Sequence, residues 1–134
     1  MKPSMLDTDI LSEFLRGNSK VITKVDEYLK EYGSVNLSII TYYEILNGLL
    51  YKDARKQLSK FEEFIELNNV IPLTTPMART AAKVRADLRK KGTEIGHTDT
   101  LIAGIAITSG FQLITNNTVH FKRVKGLEIA NWIN

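Results

Sequence analysis

The sequence predicts an α/β protein, a three-layer α/β/α arrangement around a central, mostly parallel sheet of about five short strands. Three observations predict it. Short runs suited to strands alternate along the chain with longer segments of helical periodicity, the pattern of parallel strands joined by helical crossovers. One segment, Leu101-Ile102-Ala103-Gly104-Ile105-Ala106-Ile107, is apolar on all sides, as a buried helix must be. Polar and acidic residues follow the strand-like runs, where an open parallel sheet binds its ligands.

The elements follow in order. Lys2 to Leu6 reads as a first strand, with Pro3 tolerated near its start. Thr8 to Arg16 carries Ile10, Leu11, Phe14 and Leu15 at helical spacing, and Gly17-Asn18 stops it. Ser19 caps a second helix through about Glu31, and Gly33 ends it. Val35 to Ile40 alternates as a strand, and Thr41 opens a helix to about Tyr51. Asp53 to Leu67 is a further helix with Leu58, Phe61, Phe64 and Ile65 as its stripe. Val70 to Leu73 is a short strand, placed at a sheet edge by Pro72. Thr75-Pro76 opens a long helix to Lys91, closed by Gly92. Thr98 to Ser109 is the buried helix. Phe111 to Thr115 is a strand, Asn116 to Lys122 a loop or short helix, and Leu127 to Ile129 the last strand.

Residues 1–134 make a single domain by length, with 43% hydrophobic and 25% charged residues, an ordinary balance for a water-soluble globular chain. No apolar run is long enough to span a bilayer, and the acidic start does not read as a signal peptide. A cytoplasmic protein is expected. There are no cysteines and only two histidines, His97 and His120, which excludes thiolate sites and disfavours a histidine zinc site. Any metal would be a hard cation on oxygen ligands. The net charge of +3 is compatible with nucleic acid but does not require it. No repeat, linker or low-complexity segment interrupts the chain.

Chemistry concentrates where the strand-like runs end. Asp7 follows the first strand, Glu44 the second, Asp99 opens the buried helix, and Asn116 and Asn117 follow the Phe111 to Thr115 strand. In a parallel sheet these ends share one edge, so three carboxylates and an amide would meet as an Mg²⁺ or Mn²⁺ site. Each residue also has an ordinary structural explanation. Asp7 or Asp9 caps a helix, Thr41-Tyr42-Tyr43-Glu44 fits a capping box, Asp99 suits a helix dipole, and Asn116-Asn117 suits a turn. The six cations from Arg79 to Lys91 form a solvated helix face or a phosphate-contacting rim, Arg85 being the best placed.

These residues resemble a known family. Met5-Leu6-Asp7-Thr8-Asp9-Ile10 and Ile40-Thr41-Tyr42-Tyr43-Glu44-Ile45, with Gly48 one turn on, resemble the first two motifs of PIN-domain ribonucleases. Ile95-Gly96-His97-Thr98-Asp99-Thr100-Leu101-Ile102-Ala103 resembles the third, and Thr115 to Val124 with Leu127 and Trp132 the tail. The ordered set is most similar to the VapC toxins of bacterial and archaeal toxin–antitoxin pairs.

The resemblance implies an endoribonuclease with Asp7, Glu44 and Asp99 as ligands of Mg²⁺ or Mn²⁺. The fourth, often acidic, position falls on Asn117. Thr8, Asp9, Thr115, Asn116 and Arg85 would support the site. It also implies an RNA substrate, a VapB-like antitoxin, a homodimer and no membrane partner. The competing expectation is a degenerate PIN scaffold that binds RNA or protein without cutting. A phosphoacceptor domain of the response-regulator kind would need an aspartate after the third strand, where Leu73-Thr74-Thr75-Pro76 offers none.

Overall fold

The computed structural model describes all of residues 1–134. Five short strands, β1 (Ser4–Leu6), β2 (Asn36–Ser38), β3 (Asn69–Ile71), β4 (Gln112–Ile114) and β5 (Ile129–Ala130), form one sheet in the order β3-β2-β1-β4-β5. Every neighbouring pair is parallel, with Leu6 opposite both Leu37 and Ile114. The chain steps outward from β1 to β3, then returns to β1's other side for β4. The strand order therefore reverses between β1 and β4, which opens a crevice at their carboxyl ends.

Seven helices connect and cover the strands: α1 (Thr8–Leu15), α2 (Ser19–Tyr32), α3 (Ile39–Tyr51), α4 (Arg55–Leu67), α5 (Thr75–Lys90), α6 (His97–Ser109) and α7 (Thr118–Phe121). Alternation along the strands divides the core. Leu6, Leu37 and Ile114 face one layer, packed with Ile10, Leu11, Val25, Tyr28 and Phe61. Met5 and Leu113 face the other, packed with Met77, Leu88, Ile102, Ile105 and Phe121. The expected three layers are present. β3 lies at the sheet edge, as Pro72 predicts. The apolar α6 is buried through its middle, and no helix is long and apolar enough to cross a membrane.

The main departure from expectation lies at Ile39 and Ile40. The sequence predicts a strand through Ile40 and a helix from Thr41, yet β2 stops at Ser38 and α3 begins at Ile39. The reason is local. The Ser38 hydroxyl accepts the Thr41 backbone N–H at 3.0 Å and caps the helix so that it begins two residues early, against the β-branched preference of two isoleucines. Smaller shifts occur at the last strand, which is Ile129–Ala130, and at α4, which starts at Arg55 after Asp53 in a left-handed turn. Residues 116–122 hold the short helix α7.

Candidate active site

The carboxyl end of β1 is sealed against β4 by the Asp7 backbone N–H, which donates to the Ile114 carbonyl at 2.8 Å. Asp7 is the N-cap of α1: one carboxylate oxygen accepts the Thr8 N–H at 2.8 Å. The other accepts the buried Thr115 hydroxyl at 2.7 Å. Capping and site-building are thus two uses of one side chain. Only 5% of Asp7 is exposed. Burial, and then the charge of Asp9, push its carboxyl from the ordinary 3.8 up to about 7, despite the Thr115 and Thr8 hydrogen bonds; Asp99 adds to the rise.

Two residues on, Asp9 stands at the same edge. Its oxygens accept the N–H of Ile10 at 2.8 Å and of Asn116 at 3.0 Å, tying α1 to the segment after β4. Burial raises its pKa, and these hydrogen bonds oppose the rise.

Glu44 projects from α3 toward α1, where the Thr8 hydroxyl donates to its carboxylate at 2.7 Å. The Thr8 and Thr41 hydroxyl oxygens lie 3.0 Å apart. Glu44 therefore forms no capping box with Thr41. The actual cap is Ser38, which leaves Glu44 one turn inside the helix and free to face the crevice.

Asp99 lies in the first turn of α6. Burial raises its pKa, the Glu44 charge raises it further, the His120 charge lowers it, and Asp9 raises it. Asp7, Asp9, Glu44 and Asp99 are thus electrostatic neighbours, although 92 sequence positions separate the first from the last. The predicted convergence at one sheet edge is present.

The two asparagines support the edge differently. The Asn116 side-chain oxygen accepts from the Asn131 amide at 2.9 Å, anchoring the chain terminus. The Asn117 N–H donates to the Thr115 hydroxyl at 3.0 Å, and its side-chain nitrogen lies 3.1 Å from His120 Nδ1. Arg85 sits apart from the carboxylates. Its guanidinium donates to the Ile95 carbonyl and to Glu94 at 3.2 Å, bracing the segment that leads into α6.

Thr41 and His120 also touch this edge, through Thr8 and Asn117, and neither was among the site residues expected from the sequence. Thr41 lies one turn before Glu44 on the same helix face, a signal hidden by assigning it to the cap. His120 follows Asn117 by three residues, a turn spacing visible only once Thr118–Phe121 is helical.

The donor set is all oxygen and carries more negative charge than it neutralises, which suits a hard divalent cation. No three acidic or imidazole side chains stand close enough to enclose an ion by themselves. The arrangement fits Mg²⁺, which takes one or two carboxylates and fills its remaining positions with water and substrate oxygens.

Comparison with known proteins gives consistent matches. The PIN domain family matches residues 4–127. Ribonuclease VapC1 of Rickettsia felis is 36% identical over 129 residues, 93% of this chain and 92% of that protein. The tRNA(fMet)-specific endonuclease VapC of Salmonella typhimurium is 33% identical over 112 residues, 79% of this chain and 85% of that protein. Among solved structures, VapBC2 from Rickettsia felis bound to a promoter DNA fragment superposes with a TM-score of 0.88 at 28% identity, covering 96% of this chain and 98% of that one.

Proposed function

Because this chain belongs to the PIN-domain family, and within it to the VapC ribonucleases, we propose that it is the toxin of a toxin–antitoxin pair, cutting RNA with Mg²⁺ or Mn²⁺. The supporting observation is the gathering of Asp7, Glu44, Asp99 and Asp9 where the strand order reverses, with at least Asp7 held protonated toward neutrality by burial and like charge.

One or two of Asp7, Glu44 and Asp99 would hold the ion directly, with water and substrate oxygens completing its shell. When bound, it lowers the pKa of a water and offsets charge on the attacked phosphate. The chain's own groups do the remainder. Thr115 and Thr8 hold the Asp7 and Glu44 carboxylates in place. Asp9 joins α1 to the β4 edge through Asn116 and keeps the crevice from spreading. Outer hydrogen bonds of this kind are worth roughly 10–100-fold in metal affinity or activity.

The Salmonella relative is named for tRNA(fMet), so that RNA is the first substrate to test. The VapBC complexes among the structural neighbours support a VapB-like antitoxin as partner. The exposed Tyr43, Leu50 and Tyr51 of α3 offer an apolar contact face for the antitoxin or for a second copy in a homodimer. A cytoplasmic site of action follows from an RNA target.

The test is cleavage of tRNA and other structured RNA with Mg²⁺, with Mn²⁺ and with EDTA, using the wild type, Asp7→Ala and Asp99→Asn. Cleavage should require the ion, and each substitution should lower it by at least about 100-fold. Activity that persists through chelation and both substitutions would overturn the metal-dependent reading. Ion-independent RNA binding without cleavage would favour the scaffold reading, for which the amide at Asn117 is the one favourable observation.

A further inference from the structure

We propose that His120 is a substrate-contacting residue, donating a hydrogen bond from Nε2 to a phosphate oxygen of the bound RNA, with Asn117 orienting its ring. The inference deepens the ribonuclease reading and rests on it.

A phosphodiester entering this crevice meets four carboxylates. Anionic substrate and anionic site repel, and the chain must present donors beside whatever cation it binds. Arg85, the strongest candidate by sequence, is already engaged by Ile95 and Glu94. Thr8 and Thr115 have given their hydroxyl protons to Glu44 and Asp7. His120 differs from all of these. Its imidazole is exposed, and it lies within electrostatic reach of Asp99.

Its orientation is built in. Thr115 donates to Asp7, the Asn117 N–H donates to Thr115, and the Asn117 amide meets His120 Nδ1 at 3.1 Å. The Asn117 side-chain nitrogen can only donate, so in this contact Nδ1 accepts and the ring's N–H lies on Nε2. Nε2 makes no hydrogen bond within the protein. The ring therefore offers one fixed donor, connected through three hydrogen bonds to the carboxylate at the centre of the site. Its support is rigid, because the next residue, Phe121, is fully buried in the core and anchors α7. An aspartate at position 117 would accept from the imidazole rather than donate to it, and would reverse this polarity.

The alternative is that His120 only stabilises the end of α7, where a cation suits the helix dipole. The two differ in what they move. His120→Ala and His120→Gln should be compared with wild type for kcat and KM on RNA in Mg²⁺, for Mn²⁺ affinity by calorimetry without RNA, and for Tm. The expected result for His120→Ala is a kcat lower by about 100-fold, with Mn²⁺ affinity and Tm unchanged. His120→Gln, which retains an N–H donor, should recover about tenfold of that loss. His120→Ala cleaving within about twofold of wild type, or losing Tm and Mn²⁺ affinity together with activity, would overturn the proposal while leaving the ribonuclease reading intact. A wild-type chain that cuts no RNA with either ion would overturn that reading, and the proposal with it.

Discussion

Thr8 has one hydroxyl proton, and it goes to Glu44 at 2.7 Å. The Thr41 hydroxyl, 3.0 Å away and fully buried, must then be the donor in their contact. Two threonines from different helices thereby fix one carboxylate. Thr8→Val should weaken Mn²⁺ binding and RNA cleavage by roughly 10–100-fold, while Thr8→Ser should stay near wild type. Calorimetry and a cleavage assay measure both, and equal metal affinity in wild type and Thr8→Val would refute the role. At this scale the sequence was legible in part. Asp7, Glu44 and Asp99 could be named because they follow apolar runs. The Glu44 environment could not be read locally, because a T-x-x-E pattern suggests a cap wherever it occurs, and its true partner is 36 positions away. Asp7 showed a different difficulty: cap and site residue looked like alternatives, and two carboxylate oxygens allow both.

The elements hold these side chains at fixed distances, and the α5–α6 contact governs Asp99. Gly104, in the middle of α6, lies so close to α5 that an added Cβ would stand 2.7 Å from the Met77 carbonyl oxygen and 2.8 Å from the Ala81 Cβ. Backbone and a buried alanine give way poorly. Gly104→Ala should therefore destabilise the protein by about 1–3 kcal/mol through overpacking, against a gain of up to about 1 kcal/mol in helix propensity. Thermal unfolding should show a lower Tm, and a rise would mean that the helices separate freely. Because α6 carries Asp99 in its first turn, cleavage should fall with it. The uniform apolarity of α6 announced its burial, but not which neighbour it would touch so closely. Element ends were legible where glycine or proline marks them. At Ile39 and Ile40 a serine cap competed with β-branched residues, and single-residue preferences do not decide that competition.

At the scale of the whole molecule, alternation of strand and helix was enough to predict the parallel sheet, and the reversal between β1 and β4 then brought distant acids together. That gathering has a consequence for stability. In the ion-free protein Asp7 titrates near 7 instead of 3.8, so between those values the folded chain holds a proton that the unfolded chain has released. This contribution to stability is complete below about pH 4 and is lost as pH rises through about 7. Asp9 and Asp99, both raised, act in the same direction. In EDTA the wild type should thus lose on the order of a few kcal/mol from this group between about pH 4 and pH 8. Asp7→Asn removes the charge yet keeps a side chain that caps helices well. In EDTA at about pH 8 the variant should therefore melt above wild type, and the gap should close toward about pH 4. If the proposed Mg²⁺ site is right, the ion takes ionised carboxylates and should raise the wild-type Tm more at about pH 8 than at about pH 5, and should raise that of Asp7→Asn little at either. Scanning calorimetry of both proteins with EDTA and with Mg²⁺ reads all of these differences. A chelated wild type that matches or exceeds Asp7→Asn at the higher pH would show that Asp7 is already compensated by its own neighbours, and that the crevice has no excess charge for a cation to relieve.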